Sequence, residues 1–285
     1  MASSSFLIKF IKIILRYIIL DKDYAIILRN EGRTMVNFVG KDWQIENINA
    51  VLFDKDGTFL NDHIYWGKLA ECRIHKIIKT FGLKEESFND LCFAIGQDPI
   101  NCKLIKNGPV GVLSRNEVVN FMVEELKKYN VSTDFDTISN LFDEVHKEFS
   151  ENIENYIKSL EFSEDFIKSL KDKGIKLAVV TSDSYEHTIK TLKILKLDNI
   201  FDCVIGKDSC EEEKRSGKPA ILALEKIGAN ADETIVIGDA LMDFEMGKNA
   251  KLKAEILVAT GQTDLVDLKK CSNFVVNNLS EVEII

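Results

Sequence analysis

No two cysteines in this chain form a Cys-x-x-Cys pair, and its four histidines are dispersed. Zinc-site spacing is therefore excluded. The six cysteines (Cys72, Cys92, Cys102, Cys203, Cys210 and Cys271) read as scattered small hydrophobes of a reducing compartment. Proline is scarce, with three residues in 285, and no low-complexity tract interrupts the sequence, so a disordered or linker-rich chain is excluded. An excess of positive charge is also missing. At a formal charge of −9, the main body is not built for nucleic acid or an anionic membrane. If such a protein handles an anionic substrate, it needs a local cation, either a metal or a lysine. Nor is there an apolar run long enough to span a bilayer. The longest, Phe6–Leu20, is broken by Lys9, Lys12 and Arg16. These three recur on one helical face, and Met1–Leu20 has no acidic residue. Residues 1–45 are thus read as an N-terminal extension carrying a basic amphipathic segment. Residues 6–20 would contact a membrane or direct the chain to an organelle, or else be a non-functional addition to a cytoplasmic protein that begins near Met35.

Beyond residue 45 the apolar pattern alternates between two periods. Short runs at Ala50–Phe53, Leu177–Val180, Val204–Ile205, Thr234–Ile237, Ile256–Ala259 and Phe274–Val276 predict buried strands. Helical spacing separates the later ones: Ser163 as a cap for Phe166–Lys173, then Tyr185–Lys196, then a helix opening at Pro219 and stopped by Gly228. This alternation predicts an α/β fold with a doubly wound parallel sheet. The first strand is followed by a connection too long for one crossover. Within it Ile64–Phe81, Phe88–Ile95, Val118–Leu126 and Ile138–Leu160 have helical stripes. An all-helical cap domain over residues 62–158 is expected, inserted into an α/β core of residues 46–61 and 159–285.

Ligands of an open parallel sheet bind beyond the carboxyl ends of its strands. Those ends carry Asp54-Lys55-Asp56-Gly57-Thr58, Thr181-Ser182-Asp183, and Gly238-Asp239 with Asp243 following. Ser216-Gly217-Lys218-Pro219 places a lysine before a helix. Period-two geometry sends Asp54 and Asp56 to one side and Lys55 away. Clustered carboxylates imply a hard cation, and Mg²⁺ suits oxygen-only ligands. One carboxylate can attack phosphorus and another can move the proton. Backbone N–H groups at Gly57, a hydroxyl and a lysine can neutralise phosphoryl oxygens. Taken singly, Asp54 and Asp56 could be turn residues. Thr58 reads as a turn hydroxyl, and Asp183 and Ser184 as caps of the next helix. His63, Trp66, Arg73, Lys103, Lys106 and Arg115 read as surface or core of the cap.

With VLFDKDGT, VVTS, GKP and IGDALMDFEMGKNA in this order, the chain from Glu46 onward resembles the haloacid dehalogenase superfamily. It is most similar to the phosphatase branch with a helical cap, and phosphoglycolate phosphatase-like proteins come nearest in cap position. The resemblance implies that Asp54 is nucleophile and metal ligand, and Asp56 general acid/base with its carbonyl on the metal. Thr181 or Ser182 would bind the phosphoryl group alongside Gly57, and Lys218 would pair with Asp54 and phosphate. Asp239 would complete a Mg²⁺ site, and Asp243 would support the metal's waters or orient Lys218. Asp56 argues against a dehalogenase or a phosphonate-cleaving enzyme, which lack the second aspartate. The expected activity is hydrolysis of a small phosphorylated metabolite, of phosphoglycolate or sugar-phosphate type. A sugar-phosphate mutase and a catalytically silent, membrane-tethered binding protein are the alternatives.

Overall fold

Ala50, Val51, Leu52 and Phe53 have no exposed surface, as expected of a strand with helices on both faces. In the computed structural model of the chain, which describes residues 34–285, this strand is central. The basic segment Phe6–Leu20 lies outside the described residues. In chain order the strands are β1 (Val36–Val39), β2 (Gln44–Ile48), β3 (Ala50–Phe53), β4 (Gln97–Asp98), β5 (Lys103–Leu104), β6 (Lys176–Val180), β7 (Cys203–Ile205), β8 (Thr234–Gly238), β9 (Ala254–Val258), β10 (Val275–Val276) and β11 (Glu283–Ile284). The helices are α1 (Asp62–Phe81), α2 (Ser87–Ile95), α3 (Pro109–Val112), α4 (Arg115–Leu126), α5 (Phe135–Glu151), α6 (Ser163–Asp172), α7 (Tyr185–Ile194), α8 (Lys218–Ile227), α9 (Leu241–Asn249) and α10 (Leu265–Cys271).

The main sheet has the order β10-β9-β8-β3-β6-β7, and every adjacent pair is parallel. Strand alternation divides the core. Val51, Phe53, Leu177, Val179, Ile235 and Ile237 pack with α6 and Leu192 of α7. Ala50, Leu52, Ala178, Val180 and Val236 pack with Ala220, Ala223 and Leu224 of α8 and Met246 of α9. The sheet is thus doubly wound, as the alternating pattern predicts.

The strand register positions the site. Phe53 lies opposite Val179 on β6 and Ile237 on β8. The chain therefore emerges at Asp54 beside Val180 and Gly238, with Thr181 and Asp239 one residue further on. At Asn61 it enters the cap, where the Asn61 side chain caps α1 by accepting from Ile64 N at 3.2 Å. It returns beside its own exit: Asn61 N donates to Lys158 O at 2.8 Å, and Leu160 N to Phe59 O at 2.9 Å. The cap is a helical bundle around Ile74, Ile77, Leu91, Val119, Met122, Leu126, Ile138 and Phe142. It is not all-helical as expected, because β4 and β5 form a two-stranded antiparallel ribbon. Gly96, at φ 93, turns the chain out of α2 into that ribbon.

Residues 36–45, assigned by pattern to the N-terminal extension, belong to the core. β1 pairs antiparallel with β2 and with β11, and Val36, Phe38, Ile45 and Ile48 are buried in the larger apolar cluster. Ser163 does not cap α6. Its hydroxyl donates to Leu160 O at 2.7 Å and to Phe59 O at 3.2 Å, and Phe162 stands at the cap position in the left-handed region. No helix among the described residues is long and apolar enough to cross a membrane.

Candidate active site

Asp54 is the first residue past β3 and is buried there. Its backbone N–H still bonds to Ile237 O at 2.9 Å. One carboxylate oxygen is held by the ammonium of Lys214, and the other accepts from Thr58 Oγ1 at 3.3 Å. Lys214 also binds Asp243 Oδ1 at 2.6 Å. Asp243, in the first turn of α9, accepts from Ala240 N at 3.0 Å with its other oxygen. Asp239, beyond β8, accepts from Gln262 N at 3.2 Å. Carboxylate oxygens of Asp54, Asp239 and Asp243 lie within 4.8 Å of one another, and all three residues are buried.

Burial pushes the Asp54 carboxyl up to about 7. Asp243 and Asp56 push the same way, and Lys214 opposes them. Asp239 is raised well above the ordinary carboxylate range by burial, then by Asp54 and Asp243. Burial disfavours charge on Lys214, yet Asp243 and Asp54 overcome it and hold the ammonium above its usual range. One lysine against three buried carboxylates leaves negative charge uncompensated. That charge, with an all-oxygen donor set, fits a hard divalent cation.

Gly57 makes the turn at φ 74. A Cβ there would stand 2.7 Å from Asp239 Oδ2 and 2.8 Å from Gly261 Cα, so only glycine lets the two strand ends approach. Thr260 Oγ1 clamps this turn by donating to Gly57 O at 2.6 Å. Thr181 is buried at the end of β6, and its hydroxyl oxygen accepts from Asp183 N at 3.1 Å. Ser182 is exposed at the mouth of the site, with Oγ 3.3 Å from Met242 Sδ.

Two assignments from the sequence change. Lys218 is the first residue of α8, and its side chain is exposed. The inward face of α8 is Pro219, Ala220, Ala223, Leu224 and Ile227, so helical spacing sends Lys218 outward with Ile221 and Glu225. The lysine on Asp54 is Lys214, in the 3-10 turn Lys214–Ser216. Gly217, at φ 83, bends the chain between the two lysines. The second change concerns Lys55. It does not point away from its neighbours but lies fully buried, bound to Asp56 and to Asp183 Oδ2 at 3.1 Å. Strand alternation stops at Phe53, so it no longer governs residue 55.

Asp56 stands apart from the carboxylate cluster, with its side chain a quarter exposed and held by Lys55. Gln262, which the sequence did not single out, also borders the site. Gln262 Nε2 donates to Asp62 Oδ2 at 3.1 Å, joining the loop after β9 to the first turn of the cap. Lys106 of the cap pairs with Asp264 of the core.

Residues 51–256, well over half of the chain, match the haloacid dehalogenase-like hydrolases. The chain belongs to this family. Among curated relatives of this hydrolase, a pyrophosphatase PpaX from Halalkalibacterium halodurans is 29% identical over 210 residues, covering 74% of this chain and 83% of the relative. A phosphoglycolate phosphatase from Aquifex aeolicus is 28% identical over 209 residues, covering 73% and 84%. Among solved structures, one described as a phosphoglycolate phosphatase by prediction, from Haemophilus somnus, superposes with a TM-score of 0.61. It is 19% identical, covering 80% or more of both chains (82% and 96%), and supports the fold alone.

Proposed function

We propose that this haloacid dehalogenase-like hydrolase is a Mg²⁺-dependent phosphatase acting on a small phosphorylated metabolite through an aspartyl-phosphate. One observation carries the reading. Asp54 is buried at a strand end, clamped by Lys214 and clustered with Asp239 and Asp243, while Asp56 is held apart by a different lysine. A nucleophile and a proton carrier need such different surroundings.

In the first half-reaction an Asp54 carboxylate oxygen attacks phosphorus, and the bond from phosphorus to the leaving oxygen breaks. Asp56 gives its proton to that oxygen. In the second, Asp56 takes a proton from water as the water oxygen attacks phosphorus, which frees Asp54 and releases phosphate. Lys214 and the Thr181 hydroxyl would balance charge on the phosphoryl oxygens, whereas the N–H groups of Gly57, Thr58, Phe59 and Leu60 already donate to carbonyls within their own turn. Lys214 replaces Lys218 in that role. Asp54 and Asp239, with the Asp56 carbonyl, would hold the cation and Asp243 would support its waters. A bound Mg²⁺ supplies neutralisation of the carboxylate and phosphoryl charge. The cap would close over the substrate to exclude water during Asp54 attack.

The substrate class is a small phosphate ester or anhydride, in keeping with relatives named as a phosphoglycolate phosphatase and a pyrophosphatase. The test is phosphate release from p-nitrophenyl phosphate, phosphoglycolate, sugar phosphates and pyrophosphate, with and without EDTA. Loss of turnover on chelation and in Asp54→Asn is expected. Full activity in Asp54→Asn, or indifference to EDTA, overturns the reading. Isomerised sugar phosphate without phosphate release would select a mutase instead.

A further inference from the structure

Lys55 sits between the two aspartates of the proposed site, yet the reaction sequence above gives it no task. Its side chain is entirely buried. An ammonium has three hydrogens to donate, and three carboxylate oxygens surround this one: Asp56 Oδ1 at 2.9 Å, Asp56 Oδ2 at 2.8 Å and Asp183 Oδ2 at 3.1 Å. Lys55 therefore grips both oxygens of Asp56 and ties them to the loop after β6.

The contacts continue outward. Asp183 Oδ2 also meets His187 Nδ1 in the first turns of α7. The other nitrogen of that ring, Nε2, lies 3.2 Å from the Tyr65 hydroxyl. Tyr65 is on α1 of the cap, 2% exposed, edge-on to Phe149 at 5.5 Å and perpendicular to Trp66 at 5.0 Å. Its ring is fixed by the cap's packing, and its hydroxyl reaches across to the core. One continuous path of polar contacts thus joins the cap to Asp56, through Tyr65 on α1, His187 on α7, Asp183 in the loop after β6 and Lys55 just past β3. Asp183 is further restrained by its own backbone, since its N–H bonds to Thr181 Oγ1 and its Oδ1 accepts from Ser184 N at 2.8 Å.

We propose that Tyr65, His187, Asp183 and Lys55 form a positioning relay, by which the seating of the cap orients the Asp56 carboxylate. The relay rests on the phosphatase reading, because it gives Asp56 a role to be oriented for. Its logic is geometric. Asp56 lies past the end of β3 with a partly exposed side chain, so strand packing alone does not set its rotamer. Lys55 sets it by two bonds, and Lys55 is held in turn by Asp183. His187 braces Asp183 only while its ring is itself oriented, and Tyr65 orients it only with the cap in place. Displacing α1 from α7 removes the outermost brace. Proton transfer is then slowed while the phosphoryl-binding groups stay in place.

Double-mutant cycles on steady-state turnover of p-nitrophenyl phosphate by the full chain test this. Tyr65→Phe removes one hydroxyl and is expected to lower kcat about tenfold and to move KM less than about twofold. A merely structural role does not produce that split. His187→Asn is expected to do the same, and the Tyr65→Phe/His187→Asn double variant to be no worse than either single. Tyr65 touches neither Lys55 nor Asp183 in the chain of bonds, so combining their substitutions is the decisive step. In a Lys55→Met or Asp183→Asn background, Tyr65→Phe should cost no more than a further twofold or so. Losses that multiply overturn the relay, as does a Tyr65→Phe variant with wild-type kcat. If Lys55→Met does not fold by circular dichroism, the Asp183→Asn cycle decides. A wild-type chain inactive on every substrate of the panel sinks the phosphatase reading and the relay with it. An active wild type with multiplying losses sinks the relay alone.

Discussion

Inside the cap, Ile74, Ile77, Leu91, Val119, Met122, Leu126, Ile138 and Phe142 are fully buried around one buried ion, Arg73, whose guanidinium lies 4.5 Å from the centre of the Phe142 ring. At the carboxyl edge of the sheet, Asp54, Lys55, Asp239, Asp243 and Lys214 are all buried within one small volume. Arg73 has no carboxylate partner among the described residues, and burial pulls it down to about 10. At the edge, by contrast, Lys214 pairs with Asp54 and Asp243, and Lys55 with Asp56 and Asp183, while Asp239 has no ion-pair partner among the described residues. Apolar burial of this kind contributes about 1.5–3 kcal/mol per large side chain. Buried ion clusters contribute little net stability, because desolvation offsets attraction. The cap therefore holds the fold together locally, whereas the sheet edge spends stability on chemistry. Substitutions in the two regions should fail in different ways.

The largest expected effect is at the edge. Asp54→Asn should lower kcat at least about a thousandfold, as loss of a nucleophile does, while its melting temperature in EDTA stays at or above wild type. A large drop in melting temperature would break the contrast. Next is the reverse case in the cap. Phe142→Ala should cost about 3–5 kcal/mol by denaturant titration, and the fraction that remains folded should keep its turnover. Third, Lys214→Met should lose about a hundredfold or more in kcat, and Lys218→Met should stay within about twofold of wild type. Equal losses at the two positions would return the catalytic lysine to residue 218.

A smaller effect concerns pH. The folded Asp54 carboxyl sits at about 7 because of burial, above its ordinary 3.8. Between those values the folded state holds more protons than the unfolded one. Without metal, this group's contribution to stability is present below the lower value and is lost as pH rises to about 7. Mg²⁺ should therefore raise the melting temperature more at pH 8 than at pH 5 in thermal scans. An equal rise at both would separate metal binding from this carboxylate. The smallest effect is expected at Arg73. Arg73→Met should leave stability unchanged or raise it by up to about 1 kcal/mol, since it removes an unpaired buried ion and retains the bulk over Phe142. A loss of several kcal/mol would reveal a partner for the guanidinium.

These regions also differed in how much of them could be read in advance. The runs Ala50–Phe53, Leu177–Val180 and Thr234–Ile237 are apolar at nearly every position because helices cover both faces of the sheet. The stripe from Ile138 to Phe149 shows the cap's helical period for a similar reason. The β1–β2 hairpin was not legible. Its register slips between Val36 and Phe38, so QIENI alternates imperfectly, and its third strand comes from the last residues of the chain.

Local patterning determined that four carboxylates and a hydroxyl gather at one sheet edge, because parallel strands in register present their ends together. Which lysine joins them was beyond local patterning. Lys214 and Lys218 are a single helical turn apart and chemically identical. The left-handed bend at Gly217 and the inward face of α8 send one to Asp54 and the other to solvent. Tertiary structure likewise decided that Lys55 faces Asp56 and Asp183, and that a cap tyrosine stands at the far end of that line of contacts. Tyr65 and its partner His187 stand 122 residues apart in the sequence, a juxtaposition created only by packing the cap onto the core.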